Sequence, residues 1–156
     1  RMVIHRERGG LMYNDILDAV VGRLRELFGD EYGICTEPAG QGTSGPCFFV
    51  QLQESAEKPM VGPRYFRKTE ILIRYQPEET PQTFREMNRA AEILMDGLEY
   101  ISLADGSLLR GTGRSALPDL ERRQLIFRIS YNLFVIRARQ EETTMETIEI
   151  EKGMVK

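Results

Sequence analysis

The sequence predicts an α+β fold, with a mostly antiparallel β-sheet and two amphipathic helices packed on one face in a single two-layer domain. Residues 123–139, reading RQLIFRISYNLFVIRAR, place an apolar side chain at every second position, as a strand with one buried face requires. Residues 13–28 and 80–98 instead repeat apolar residues at steps of three and four, the helical spacing. Hairpin-type connections between the strands argue against a doubly wound parallel sheet.

The long strand at 123–139 is the predicted centre of the sheet. Its opposite face is polar in the middle and apolar towards the end, and the strand contains no proline or glycine that would interrupt the ladder. The predicted buried face consists of Leu125, Phe127, Ile129, Tyr131, Leu133 and Val135.

Composition and length indicate one globular domain. The 156 residues are 29% charged and 41% hydrophobic, and the formal net charge of −3 gives no general attraction to nucleic acid or to anionic membranes. No apolar run approaches the roughly 20 residues that span a bilayer, and the first residues lack the apolar region of a secretory signal. Two cysteines make no disulfide framework, which favours a cytoplasmic setting.

Three segments are predicted along the chain. Residues 1–12 form a flexible leader that is polar and contains Gly9-Gly10, with Met12 as a candidate translation start. Residues 13–139 form the α+β domain. Residues 140–156 form an acidic C-terminal arm or edge strand, because 145–151 alternate again and such a strand can add to a neighbour's sheet.

Capping residues set the predicted helix limits. Asn14 is the predicted N-cap of the first helix and Gly29 suits its end. In the second helix Thr80 caps and Pro81 takes the first position, with a capping box from Thr83 as the alternative.

Shorter strands are predicted at 34–37, 47–53, 64–75, 100–103 and 107–110. Prolines and a glycine within 54–63 predict a turn or irregular edge there, and Asp105-Gly106 is a strong hairpin signal. Gly111 and Gly113 predict a bend or bulge, followed by a turn at 119–122.

The residues contain no recognisable catalytic, metal or cofactor motif. His5, the only histidine, lies in the leader, which argues against a histidine triad or a multi-histidine zinc site. Cys35 and Cys47 are expected to be small core residues. The glycine-rich loop at 40–45 lacks the Lys-Ser/Thr ending of a P-loop and precedes a strand. We therefore expect a protein that is not an enzyme and binds no cofactor or metal.

Arginines gather in the C-terminal half and are followed by glutamates, an arrangement typical of complementary charge between subunits. Ordinary surface ion pairs are an equal alternative. The Arg64–Arg67 stretch, just after the predicted turn, offers tyrosine and arginine as interface anchors, with a plain surface strand as the alternative. The candidate interface residues are Arg64, Tyr65, Phe66, Arg67, Arg110, Arg114, Arg128, Arg137, Glu146 and Glu149.

Five blocks of the sequence, spread over residues 12–150, resemble a family of small prophage proteins. The blocks read MYNDILDAVVGRLRELFG, GPCFFVQL, RYFRKTEILIRY, DGSLLRGTGRS and LIFRISYNLFVIR. The family comprises tail terminators and minor structural tail proteins of long-tailed phages that infect Gram-positive bacteria. The resemblance rests on the order and wording of the blocks and assigns no functional residue.

This resemblance implies a structural role. Tail terminators are small α/β proteins that form a ring, usually of six subunits, which caps the tail tube and joins the tail to the head. The implied partners are other copies of the chain, the tube protein and a head-completion or connector protein, with DNA passing through the ring without sequence-specific binding. The implied location is the host bacterial cytoplasm during assembly and then the virion tail, with no membrane involved.

Two other classes of function remain open at this stage. A nucleic-acid-binding accessory protein would use the arginines on phosphates, but the net charge and the absence of tryptophan count against it. A small-molecule enzyme on a ferredoxin-like sheet would need a well-formed cleft with an acid or base of perturbed pKa.

Overall fold

Seven strands and two helices make up the part of the chain that the computed structural model describes, which is residues 2–6, 12–37 and 45–137. In chain order the elements are β1 (Met2–Arg6), α1 (Tyr13–Phe28), β2 (Gly33–Cys35), β3 (Cys47–Pro59), β4 (Arg64–Gln76), α2 (Thr83–Gly97), β5 (Tyr100–Ser102), β6 (Leu108–Asp119) and β7 (Gln124–Arg137).

The strands form one curled, mixed sheet in the order β2-β3-β4-β7-β6-β5, with β1 also pairing β7. The pairs β3–β4, β4–β7, β6–β7 and β5–β6 are antiparallel. The pairs β1–β7 and β2–β3 are parallel. The predicted α+β composition of one large sheet and two helices is confirmed, whereas the parallel pairs were not predicted.

Strand β7 lies at the centre of the sheet, as predicted. β4 pairs along one edge of β7, and β6 followed by β1 pairs along the other. All six residues of its predicted buried face are at most 1% exposed. The alternation in the sequence therefore identified the face that packs on the core.

Both helices contribute to the same hydrophobic core as β7. Ile16, Val20 and Leu24 are the buried residues of α1, and Met87 and Leu94 are among those of α2. They cluster with the buried residues of β3, β4 and β7. This face of the sheet is called the inner face below.

The capping predictions were partly wrong. α1 begins at Tyr13 with Met12 rather than Asn14 as its N-cap, and the backbone N–H of Met12 donates to Asp15 Oδ2 at 2.8 Å. α2 begins at Thr83 rather than at Thr80, because the Thr83 hydroxyl bonds the backbone of Thr80 and holds the preceding residues in a turn.

β3 is longer than predicted and the predicted turn at 54–63 is much shorter. The strand continues through a bulge between Leu52 and Glu54 and ends at Pro59, which leaves only residues 60–63 as the loop of the β3–β4 hairpin. Two side-chain contacts hold the extended part of β3 in place. Ser55 donates to the Tyr13 hydroxyl at 2.7 Å, and Glu57 forms an ion pair with Arg67.

β6 also continues beyond the predicted bend. Gly113, with a positive φ of 60°, lies in the irregularity between Thr112 and Ser115, after which pairing with β7 resumes as far as Asp119. The predicted bulge is thus confirmed. The predicted turn at 119–122 begins one residue late, since Asp119 still pairs with Gln124.

Candidate subunit interface

The second face of the sheet, called the outer face, combines charged and apolar side chains. Cross-strand partners share a face, so the register Phe66↔Phe134 and Leu72↔Arg128 places these residues on the outer face. The core cluster that includes both helices contains none of them. The outer-face residues of β4 and β7 are Arg64, Phe66, Lys68, Glu70, Leu72, Arg74, Ile126, Arg128, Ser130, Asn132, Phe134 and Ile136.

An apolar hollow lies where the outer face meets the loop of the β3–β4 hairpin. It measures about 460 Å³ and includes Met60, Val61, Phe134 and Ile136 in its lining. Val61 is 92% exposed. Arg64 also lines the hollow, with its guanidinium carbon 5.3 Å from the centre of the Phe134 ring. Residues 58–64 are called the hairpin tip below.

Arg67 lies inside the subunit, on the inner face. It is 1% exposed, its Nε donates to Glu57 Oε2 at 2.7 Å, and its guanidinium lies 4.6 Å from the centre of the Tyr13 ring. Arg137 donates to the same carboxylate at 2.8 Å and covers the Tyr65 ring at 4.7 Å. Glu57 on β3 thus forms ion pairs with one arginine of β4 and one of β7. Both Arg67 and Arg137 therefore have a partner within their own subunit.

The two arginines keep Glu57 ionised. Partial burial of the carboxyl raises its pKa, but hydrogen bonds from Arg67 and Arg137, together with their positive charges, outweigh burial and hold the pKa below the usual value of 4.5. Because the carboxylate is charged at neutral pH, it compensates the buried guanidinium.

Arg110 and Arg114 lie on β6, close to the end of α2. Arg110 Nη2 lies 3.2 Å from Glu99 Oε2, and Arg114 Nη1 donates to the Met95 carbonyl at 2.7 Å and lies 3.6 Å from Glu99 Oε1. The Arg110 side chain is 66% exposed, which leaves most of it open to solvent. These two arginines therefore form a group separate from the hairpin tip.

The ten candidate residues therefore fall into separate places. Arg64 and Phe66 lie on the outer face near the hairpin tip, and Arg128 lies further along β7, partly buried and without an ion-pair partner among the residues described. Tyr65 lies on the inner side beneath Arg137. Glu146 and Glu149 fall outside the described residues, so their predicted contacts stay predictions.

A groove of about 430 Å³ separates α1 from β5 and the start of β6. Asp15, Asp18 and Glu26 line it along α1, and Tyr100 and Leu108, each about half exposed, line the strand side. Between them the floor has small residues, including Ala19 and Gly22. This space is called the α1 groove below.

A polar cleft of about 460 Å³ lies beside α2, and ionisable side chains, including Tyr75, Glu86 and Arg89, line it. Tyr75 donates to Glu86 Oε2 at 2.8 Å, and Arg89 donates to both Glu86 oxygens. Hydrogen bonds from Arg89 and Tyr75 lower the pKa of Glu86, while burial raises the pKa of Tyr75. A carboxylate held ionised in this way is a weak base, so the cluster is better suited to tying α2 to β4 than to proton transfer.

Sequence reasoning did not single out Glu57, Glu99, Met60 or Val61. The two glutamates gave no signal, because their arginine partners lie on other strands and meet them only once the sheet has formed. Val61 did give one, since a β-branched apolar residue is unusual at a hairpin loop where Gly, Pro, Asn, Asp and Ser dominate.

Within residues 12–37 and 45–137, no group of three or more His, Cys, Asp or Glu side chains has an arrangement suited to holding a metal ion. Neither helix in the described residues has the length and apolar character needed to cross a bilayer.

Comparison with known proteins gives one family and one structural match of note. A family model described as "Phage tail terminator protein" matches residues 15–143. A cryo-EM structure of an extracellular contractile injection system, the PVC sheath/tube terminator in its extended state, aligns with 13% identity and a TM-score of 0.49. That alignment covers 90% of this chain and 65% of the other, so the chain spans just under two thirds of that protein's length. No curated protein matches the sequence.

Proposed function

The chain belongs to the phage tail terminator family, and from this premise we propose that it caps the end of a phage tail tube as an oligomeric ring and joins the tail to the head. The observation that carries the proposal is the family match over residues 15–143, which takes in α1 from its third residue, all of α2 and all strands except β1. As a member of this family, the chain is a structural tail protein.

A closed ring needs two different surfaces on each subunit, because head-to-tail contacts join one patch to another patch on the next copy. The outer face supplies one such surface. It carries Arg64, Lys68, Arg74 and Arg128 against a single glutamate, Glu70, on β4 and β7. This basic character contrasts with the net charge of −3 for the whole chain.

We assign the complementary surface to the acidic segment 140–156, which follows β7. In this proposal Glu146 and Glu149 of one copy meet Arg64 and Arg128 on the outer face of the next. Phe66 and Phe134, whose ring centres lie 5.5 Å apart, provide an apolar contact beside these charges. Charge pairs of this kind set orientation and register more than affinity.

Arg110 and Arg114 provide a second candidate contact at the end of α2. Glu99 neutralises both side chains in part, at 3.2 Å and 3.6 Å. A shared carboxylate keeps the two guanidinium groups together, and the exposed Arg110 is the one positioned to reach an acidic group on another subunit or on the tube. Arg67 and Arg137 instead support the fold beneath the hairpin tip through Glu57.

The remaining parts of the proposal concern the ring as a whole. We propose six subunits, a two-layer subunit with both helices on the inner face, and contacts with the tube protein on one side and a head-completion or connector protein on the other. DNA would pass through the ring without sequence-specific binding. The protein would assemble in the host bacterial cytoplasm and remain in the virion tail, without a membrane partner.

Tube-growth assays test the capping role directly. Purified tube protein is polymerised with and without this chain, and tube lengths and tube ends are measured by electron microscopy. The proposal predicts shorter tubes with a ring at one end when the chain is present. Unchanged tube lengths, or binding along the whole tube wall, would contradict capping.

Light scattering over a dilution series at two salt concentrations tests the ring and its charged contacts. The proposal predicts a ring-sized species whose association weakens at the higher salt concentration, because exposed charges are screened. A double variant, Arg64→Glu with Arg128→Glu, should lose association. The control is Arg85→Glu at an exposed position of α2, which reverses the charge of one arginine away from the outer face and should associate as the native chain does. Association that survives the double variant would contradict the assignment of the outer face.

A further inference from the structure

We propose that the hairpin tip of one subunit inserts into the α1 groove of the next copy of this chain. The inference rests on the proposed ring and deepens it, because it adds a second pair of unlike surfaces to the head-to-tail contact between the outer face and the acidic segment. The tip and the groove share no lining residue. They therefore meet the requirement for a contact that joins unlike patches.

The hairpin tip has the shape and chemistry of an inserting element. The strands close just below it, where the Met60 N–H donates to the Arg64 carbonyl at 2.8 Å, so the four-residue loop is held by a regular ladder. Its apex is Val61, 92% exposed, next to Met60, 43% exposed. An exposed valine at the apex of a loop gains nothing from the fold of its own subunit, and burying it against another copy removes apolar surface from water.

The α1 groove has the complementary shape. A volume of about 430 Å³ lies within the range of pockets that accept buried groups. Tyr100 and Leu108 are exposed apolar residues on its strand side, 49% and 55% accessible. Insertion of Val61 would cover apolar residues on both subunits at once.

Gly22 is a separate observation that favours an occupant for the groove. It lies in the interior of α1, where glycine is less favourable than alanine for helix formation. A Cβ at this position would meet no atom within 4 Å, so packing inside the subunit does not require the glycine. The open space above Gly22 leaves room for a group that comes from outside the subunit.

Charge complementarity identifies that group as the hairpin tip rather than the C-terminal segment. The groove is lined by Asp15, Asp18 and Glu26, with Arg23 as its one basic residue. The tip carries Lys58 and Arg64 on either side of its apolar apex and no acidic residue. Residues 140–156 carry five glutamates, which the acidic wall would repel.

Three variants separate this contact from subunit stability. Val61→Asp should weaken association about tenfold or more while leaving the thermal midpoint unchanged, because Val61 contacts little within its own subunit. Gly22→Gln should also weaken association yet leave the midpoint unchanged or raised, since glutamine is a good helix former. Leu120→Asp is the matched control, because Leu120 is 66% exposed and lies outside both surfaces; it should associate as the native chain does.

A charge reversal tests the pairing itself. Lys58→Glu and Asp18→Lys should each weaken association, and a mixture that presents both changes across one contact should regain it. Glu92→Lys, on the exposed side of α2, is the control for a charge change outside the contact. A mixture of the two variants that associates no better than either variant alone would contradict a direct contact between these two regions.

Disulfide cross-linking between two singly substituted proteins decides the geometry. Val61→Cys protein is mixed with Gly22→Cys protein under oxidising conditions, and linked peptides are identified by mass spectrometry. The native chain, treated in the same way, shows which links the native Cys35 forms. A link between positions 61 and 22 can form only between copies, and it is the expected result. If light scattering detects rings but only 61–61 links or none form, the insertion is overturned and the ring stands. If the native chain associates neither alone nor on tubes and no link forms, the ring is overturned together with it.

Discussion

The two faces of the β4–β7 pair use the same backbone for different purposes. On the inner face Ile71, Ile73, Phe127 and Ile129 are fully buried in the core cluster, which also contains residues of both helices. On the outer face the same strands carry arginines and lysine beside partly buried aromatic rings. The inner face thus packs on the core of the subunit, whereas the outer face is the surface that we propose for contacts between subunits. Substitutions on neighbouring residues of one strand can separate the two roles.

The largest difference is expected between Phe127→Ala and Ile126→Ala. Phe127 is fully buried in the core, and truncating such a residue lowers the free energy of unfolding by about 3–5 kcal/mol. Ile126, its neighbour on the outer face, is only partly buried and should lose much less. Urea denaturation of both variants measures the difference, and equal losses would show that the outer face is packed as tightly as the core.

The next largest difference in stability is expected between substitutions of an inner-face and an outer-face arginine. Arg67→Met removes one partner of the buried pair with Glu57, and breaking such a pair lowers the free energy of unfolding by roughly 3 kcal/mol. Arg137 still compensates Glu57 in this variant, which keeps the loss at the lower end of the range. Arg64→Met, three positions away on the outer face, should change stability by at most about 0.5 kcal/mol. Thermal unfolding in parallel would contradict the assignment if Arg64→Met were the more damaging change.

The Glu57 cluster also predicts a dependence on pH. The folded-state pKa of Glu57 lies below its ordinary value of 4.5, so the unfolded chain takes up a proton first as pH falls. The stability from this group is complete above about pH 4.5 and is lost as pH drops through the lower folded-state pKa. Glu57→Gln should therefore flatten the decline of unfolding free energy with acid. A slope identical to that of the native chain would remove Glu57 from this role.

The smallest effect on stability, with a large effect on association, is expected from Arg128→Glu. Arg128 has no ion-pair partner among the described residues, so the subunit should unfold within about 0.5 kcal/mol of the native chain. Association measured by sedimentation should weaken and lose part of its salt dependence. If association persists unchanged, the outer face is not the surface that receives the acidic segment.

The sequence predicted the parts of the fold that repeat a simple period. The alternation in β7 and the three-to-four spacing of α1 reflect burial of one side of a regular element, and both predictions are confirmed. The extension of β3 was missed because residues 54–59 carry no apolar alternation. That part of the strand is held by single contacts, such as Ser55 with Tyr13, which no local pattern reveals.

The candidate site was harder to predict than the fold. Arginine is a favoured interface anchor, so Arg67 was predicted at an interface together with its neighbours Arg64 and Phe66, although the structure buries it. Its burial depends on Glu57, which faces it across the hairpin in the β3–β4 register. Only the pairing of two strands brings these charges together, and the register depends in turn on the bulge at Leu52 and Glu54. A contact that depends on the exact register of two strands has no signature in a single sequence.

The pairing of β1 with β7 has a consequence for the order in which the subunit is completed. These two strands are the first and last elements of the described chain, and their parallel pairing is its most distant contact in sequence. Contacts between distant segments form slowly, because a long loop must close before they can form. During synthesis from the N-terminus, β1 therefore waits without its partner until β7 has left the ribosome. Folding intermediates should accordingly have the β3–β4 hairpin formed while the β7 edge that receives β1 is still open.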